Sequence, residues 1–326
     1  MLITRTPLRI SIGGGGTDLP SFYTRREGFV ISAAINKYVY IALNKTFTDD
    51  YLLKYSELER RGSVPEIAHA IIREALRMHE IPPGLEMVSL ADIPAGTGLG
   101  SSGAFTVGLL RALYAFKREH VTSVALAEQS AHIEIDILGE PVGKQDQYIA
   151  AFGGLTCFEF HSDGRVSVSP LAISQDTLHD LEERLLLFFT GYSRAAGSIL
   201  ADQRERSDEE DEEMLANLEY TRELGLRIKA ALEADDGRSF GTLMHEHWER
   251  KRARSAGMSN ERIDGLYELG LANGAVGGKL VGAGAGGFLM FYAEDPSSLR
   301  AAMTEAGLAE TRFTFDLDGS IVLTRG

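Results

Sequence analysis

Cysteine is almost absent from this sequence: Cys157 stands alone among 326 residues. One thiol cannot close an internal disulfide, which excludes a stapled secreted fold and points to a reducing compartment. Positive charge is scarce as well. Lysine and arginine total 33 against 47 aspartates and glutamates, a net charge of −14. Nucleic acid and anionic membrane surfaces both demand a basic face, so neither is expected as a partner. A phosphorylated ligand would need cations gathered locally against this acidic background. Long apolar runs are missing too, since no stretch approaches the ~18 residues of a membrane helix. The opening, Met1 to Ile10, carries two arginines and a proline where a secretory signal would be apolar. The expectation is a cytoplasmic protein.

What is present is a globular composition, 44% hydrophobic and 25% charged, long enough for two domains of ordinary size. Residues 28–47 are rich in β-branched and aromatic types and read as strands. Residues 64–79 set Ile67, Ala70, Ile71, Ala75 and Met78 on one helical face. A strand near Leu85–Leu90 leads into a glycine-rich segment that opens a helix running to about Phe116. Thr122 reads as the N-cap of the next helix, with Ile133, Ile137 and Leu138 on its buried side. Residues 153–170 read as a hairpin turning at Ser162-Asp163-Gly164. After an apolar strand at 184–191, a charge run from Asp202 to Glu213 leads into helices over 212–234, 239–256 and 260–273. A strand–loop–strand at 277–292, a helix from Pro296 and a hairpin at Asp318-Gly319 complete the chain. The mixed order predicts an α+β fold of two domains, 1–175 and 176–326.

Three glycine-rich stations carry the chemistry. The strongest is Pro94-Ala-Gly-Thr-Gly-Leu-Gly-Ser-Ser-Gly-Ala104. Gly96, Gly98 and Gly100 let backbone approach a ligand, and Ser101 and Ser102 stand where a helix N-terminus favours phosphate. Their hydroxyls also suit the Mg²⁺ that bridges nucleotide phosphates. Gly98, Gly100 and Gly103 fit the dinucleotide fingerprint as well, which keeps a nicotinamide-dependent oxidoreductase as an alternative. That fingerprint should lead to a second strand within about 20 residues, however, and here a second helix follows. The second station, Pro7-Leu-Arg-Ile-Ser-Ile-Gly-Gly-Gly-Gly-Thr-Asp18, flanks a glycine bend with the charges of Arg9 and Asp18. The third is Gly277-Gly-Lys-Leu-Val-Gly-Ala-Gly-Ala-Gly-Gly287, a loop suited to close over phosphates or a sugar.

Between these lies Glu134-Ile-Asp-Ile-Leu-Gly-Glu-Pro-Val-Gly-Lys-Gln-Asp-Gln147, where Asp146 and Lys144 suit a base or a positioner for a hydroxyl nucleophile. Arg194, just after a buried strand, is a candidate for a substrate phosphate. His245 and His247 stand two apart on a helix, face different ways and do not suggest a metal site.

In this order the stations resemble the GHMP superfamily, named for galactokinase, homoserine kinase, mevalonate kinase and phosphomevalonate kinase, over nearly the whole chain. The resemblance implies a two-domain GHMP kinase fold with the active site in the cleft between domains, ATP and Mg²⁺ as cofactors and a small-molecule sugar phosphate as acceptor. It implies that Gly96, Gly98, Leu99, Gly100, Ser101, Ser102 and Gly103 hold the nucleotide and that Ser102 and Glu134 ligate the metal. It makes Asp146 the catalytic aspartate with Arg9 beside it. Gly15, Gly16, Thr17, Asp18, Lys144, Arg194, Gly284 and Ala285 are then substrate contacts. Gly15-Gly16 replaces the Glu-His pair of galactokinases, leaving room for a larger or already phosphorylated sugar. Arg5 to Pro20 and Pro141 to Tyr148 are similar to bacterial D-glycero-D-manno-heptose 7-phosphate kinases, which implies phosphorylation at the anomeric hydroxyl. Anomeric kinases for fucose or galactose, and a catalytically silent sugar sensor of the same fold, are the rival readings. A homodimer stays open beside a monomer.

Overall fold

The computed structural model describes every residue except 192–196, 210, 255–256, 283, 285 and 326. The first half runs β1 (Leu2–Gly13), α1 (Pro20–Arg26), β2 (Gly28–Lys45), β3 (Tyr51–Lys54) and β4 (Leu58–Arg61). It continues through α2 (Ala70–Met78), β5 (Leu85–Ala91), α3 (Ser101–Lys117), α4 (Ser123–Ala131) and α5 (Gln145–Phe152). A hairpin, β6 (Leu155–Phe160) and β7 (Val166–Pro170), follows. The second half runs α6 (Gln175–Arg184), β8 (Leu185–Phe189), α7 (Gly197–Asp208), α8 (Glu212–Glu233), α9 (Gly237–Arg254) and α10 (Glu261–Ala272). Then come β9 (Ala275–Leu280), β10 (Phe288–Ala293), α11 (Pro296–Glu305) and β11 (Ile321–Arg325).

β2 organises the larger sheet. Its 18 residues are long enough to serve two partners on one edge while β1 takes the other. Gly28 to Ala33 pair antiparallel with β6, and Val39 to Lys45 pair antiparallel with β5. β3 joins β5 in parallel and β4 closes that end. α3 lies across β1 and β2, close enough for the Thr4 hydroxyl to donate to the Gly108 carbonyl at 3.0 Å. The second body is a three-stranded sheet, β8-β10-β9, with Trp248, Tyr267, Phe188 and Phe291 at the centre of its core. Burying four large aromatics together supplies a large share of the hydrophobic drive for so small a sheet. α8 spans both bodies: it packs on α9, and its Ile228 lies against Gly13 of β1.

Several local expectations meet the structure directly. Thr122 caps α4 by accepting from Ala125 N, and 153–170 is a hairpin. Others need correction. Residues 64–79 are not one helix: a 3₁₀ turn at Val64–Glu66 precedes α2, and between them the Glu59 carboxylate accepts Ala68 N and His69 N. Ile137 is 43% exposed, because α4 passes into a π-helical turn over His132–Ile137 that shifts the buried face. No hairpin turns at Asp318-Gly319. There the Asp316 carboxylate accepts both of those backbone N–H groups, and the chain continues into β11 on the free edge of β1. The last strand thus lies in the sheet of the first half, although its sequence falls within 176–326.

Candidate active site

The first and second stations meet at Arg9. Its backbone N–H donates to the Leu99 carbonyl at 3.0 Å, and its guanidinium donates to the Gly98 carbonyl. The glycine-rich loop is therefore fastened to β1 before any ligand arrives. Gly100 then takes a left-handed conformation (φ 74°) and α3 begins at Ser101. The first turn of this 17-residue helix presents unsatisfied N–H groups and the positive end of the dipole. Beside them the Ser101 hydroxyl is buried without a hydrogen-bond partner. The third station packs against the same loop: a Cβ on Gly282 would lie 2.5 Å from Gly98 Cα, so these backbones touch only because both residues are glycine.

Asp146 stands in the first turn of α5, where a Cβ on Gly103 would lie 2.7 Å from its own Cβ. The missing side chain lets α5 cross α3 at contact distance and sets the carboxylate beside the phosphate loop. Arg9 Nε and Nη2 both approach Asp146 Oδ1 at 2.7 Å. Oδ2 has no hydrogen bond from the described residues, and the Asp146 side chain keeps 29% of its surface open to the hollow it lines. One oxygen is fixed by charge and the other is left for a ligand.

Asp18 lines the same hollow, accepting Gly16 N (3.0 Å) and Gln145 N (3.1 Å). Burial raises its carboxyl above the ordinary range against those amides, and the nearby Asp146 charge adds to the rise. Glu134, 1% exposed, lies in the π-helical turn after α4. It accepts the Ser102 hydroxyl on Oε2 and Gln147 Nε2 at 2.9 Å on Oε1. Burial raises its carboxyl too, opposed first by those two hydrogen bonds.

The structure thus brings together Arg9, Gly15, Gly16, Asp18, Gly98, Gly100, Ser102, Glu134 and Asp146. It does not bring in all the expected residues. Lys144 donates to both Glu128 oxygens at 2.9 Å and to the Gly164 carbonyl, and lines a neighbouring hollow rather than this one. Thr17 is fully buried, with its hydroxyl tying Gly14 O to the backbone of Phe29. Gly284 packs on Met258, away from Asp146. Arg194 and Ala285 lie outside the described residues.

Among the lining residues absent from the expected set, four are basic: His247, Lys251, Arg254 and Lys279. His247, Lys251 and Arg254 stand at i, i+4 and i+7 of α9, hence on one helical face, and that spacing was the available signal. Burial, reinforced by Arg254 and Arg9, holds the Lys251 ammonium down at about 7. Lys279 is pushed well below its ordinary value by burial and by Lys251.

Residues 64–154 match the family model for the GHMP kinases N terminal domain, and 228–308 match GHMP kinases C terminal. A D-glycero-alpha-D-manno-heptose 7-phosphate kinase of Campylobacter jejuni subsp. jejuni is 30% identical, over 97% of each chain. Among solved structures, a putative sugar kinase from Campylobacter jejuni superposes with a TM-score of 0.76 at 26% identity, over 98% of this chain and 97% of that one. A D-glycero-D-manno-heptose 1-phosphate kinase from Bacteroides thetaiotaomicron gives a TM-score of 0.78 at 23% identity over the whole of both chains. With both family models matched and a relative 30% identical over 97% of each chain, the chain belongs to the GHMP kinases.

Proposed function

We propose that this sugar kinase transfers the γ-phosphoryl group of ATP to the anomeric hydroxyl of D-glycero-D-manno-heptose 7-phosphate, giving the 1,7-bisphosphate. The observation that carries this reading is Asp146, with one oxygen held by Arg9 and the other open beside the phosphate loop. Phosphoryl transfer asks little covalent help of a protein; it needs an aligned hydroxyl, neutralised phosphates and a destination for the proton. Asp146 accepts or steers that proton, Asp18 orients the sugar, and the N-terminus of α3 receives the triphosphate.

Mg²⁺ fits the same place. Ser102 and Glu134 offer one hydroxyl and one carboxylate at the head of α3, the sparse protein share usual for Mg²⁺ held mainly by phosphates and water. Among the described residues no cluster of three histidine, cysteine or carboxylate side chains offers a protein-only site instead. When bound, the ion neutralises charge on the phosphates as the phosphoryl group moves. We also assign a boundary near residue 175, with β11 given to the first unit because it pairs with β1.

The experiment is ADP release measured against heptose 7-phosphate, galactose and fucose at equal concentration. Preference for the heptose phosphate is expected. Preference for a free sugar would move the assignment to the fucose or galactose class, and no release with any acceptor would favour a silent sensor.

A further inference from the structure

Three basic side chains of the hollow form no ion pair among the described residues, the charge of Asp18 acting on Arg254 without a direct contact. Lys251 Nζ donates to the carbonyls of Leu280 (2.9 Å) and Gly282, and Lys279 Nζ to the carbonyl of Ile12 (2.8 Å). Arg254 donates to Asn217 Oδ1 (2.9 Å) and Thr221 Oγ1 (2.8 Å). All three are at most 9% exposed, and among the described residues none is in an ion pair with a carboxylate. The carboxylates of the hollow are committed elsewhere, Asp146 to Arg9 and Asp18 to two backbone amides. His247 faces Lys279 across 3.1 Å through Nδ1 and leaves its buried Nε2 unpartnered. Buried unpaired charge is costly and persists where a ligand supplies the missing sign. In a chain of net charge −14, solubility does not explain this gathering of cations.

The glycine bend explains how one of them gets in. A Cβ on Gly16 would lie 2.7 Å from Arg254 Nη1 and 2.9 Å from Gln203 Nε2. The space cleared by the glycine is thus occupied by a guanidinium. Arg254 stands at this bend, whereas Lys251 is tied to Gly282 on the side of the phosphate loop. The loop and the head of α3 provide for the triphosphate, so the Arg254 end has to be matched to another anion.

We propose that Arg254, supported by Lys251 and Lys279, seats the phosphate that the sugar substrate already carries, so that the enzyme selects sugar monophosphates over free sugars. This rests on the reading of the Asp146 face as the sugar site. The bidentate fork of Arg254 suits a terminal phosphate, and the Lys251 and Lys279 amines offer it further hydrogen bonds.

The test is calorimetric binding with Mg²⁺ and a non-hydrolysable ATP analogue filling the nucleotide site. The ligands are heptose 7-phosphate, hexose 6-phosphates and the corresponding free sugars. Arg254→Gln is expected to weaken the phosphorylated sugar by about 10-fold or more, the free sugar by less than about 3-fold, and the nucleotide not at all. Arg254→Lys, which keeps a cation but loses the fork, carries the same test if Arg254→Gln does not fold. Equal weakening of both sugars, an undiminished preference for the phosphate, or a loss of nucleotide affinity overturns the proposal. If wild-type enzyme prefers another sugar phosphate and Arg254→Gln abolishes that preference, the seat stands and the heptose assignment falls. If wild-type enzyme takes heptose 7-phosphate and the variant discriminates as before, the assignment stands and the seat falls.

Discussion

On one wall of the cleft each carboxylate receives hydrogen bonds from within the chain; on the other, no buried cation meets a carboxylate. Asp18 accepts two amides, Glu134 a serine and a glutamine, and Asp146 an arginine. Among the described residues, Lys251, Arg254 and Lys279 donate to neutral groups, oxygens in each case and for Lys279 also His247 Nδ1. The first wall is organised before substrate arrives, as transition-state stabilisation requires. The second gathers basic groups that form no ion pair among the described residues. On the proposed reading, catalysis and selection are separated in sequence, with residues 9–147 serving one and 247–279 the other.

The largest expected effect falls on the first wall. Asp146→Asn keeps the shape and removes the charge, so kcat should drop about 10²–10⁴-fold with ATP affinity nearly unchanged. Retention of more than about a tenth of the activity removes Asp146 as the base, and lost ATP binding would move it to the metal shell. Ser102→Ala and Glu134→Gln come next, each costing about 1–3 kcal/mol of transition-state stabilisation. A Mg²⁺ titration of kcat checks this; near-normal turnover at low Mg²⁺ in both variants would break the metal assignment.

Smaller effects probe the second wall. Gly16→Ala drives a methyl group into the Arg254 guanidinium and should raise KM for the sugar phosphate about tenfold, well above any change in KM for ATP. An unchanged KM separates Gly16 from the substrate. The least effect concerns stability. Lys251 titrates at about 7 in the folded protein and near its ordinary 10.5 when unfolded. Between those values the unfolded chain binds more protons, so this residue makes the folded state more stable as pH rises from 7 towards 10. Melting curves across that window should show a shallower rise in Lys251→Met than in the ligand-free wild type. Identical slopes would mean that burial does not lower the Lys251 ammonium below its ordinary value.

Much of the first wall was legible because its chemistry demands particular residues at fixed local spacing. Gly98, Gly100, Ser102 and Asp146 sit in short segments whose turns and helix starts follow from glycine freedom and capping. The second wall was harder to read. Basic residues in the last turn of a helix also complement its dipole, so Lys251 and Arg254 had an ordinary explanation. Only the tertiary approach of α9 to Gly16 and Gly282 gives them another. Lys144 failed the other way: its glycine-flanked loop suggested a ligand contact, but its charge is taken by Glu128, one helix earlier in the chain. The edge pairing of β11 was equally hidden, because five residues at the end of the chain carry no mark of a partner more than 300 positions away.

The account turns on where the new phosphate appears. Phosphorus NMR of a reaction containing Mg²⁺, ATP and D-glycero-D-manno-heptose 7-phosphate reads this directly. The expected product shows a second sugar phosphorus coupled to the anomeric proton, formed in step with ADP and leaving the 7-phosphate signal intact. A new phosphate on any other carbon, or ADP formed with inorganic phosphate and no sugar bisphosphate, would contradict it.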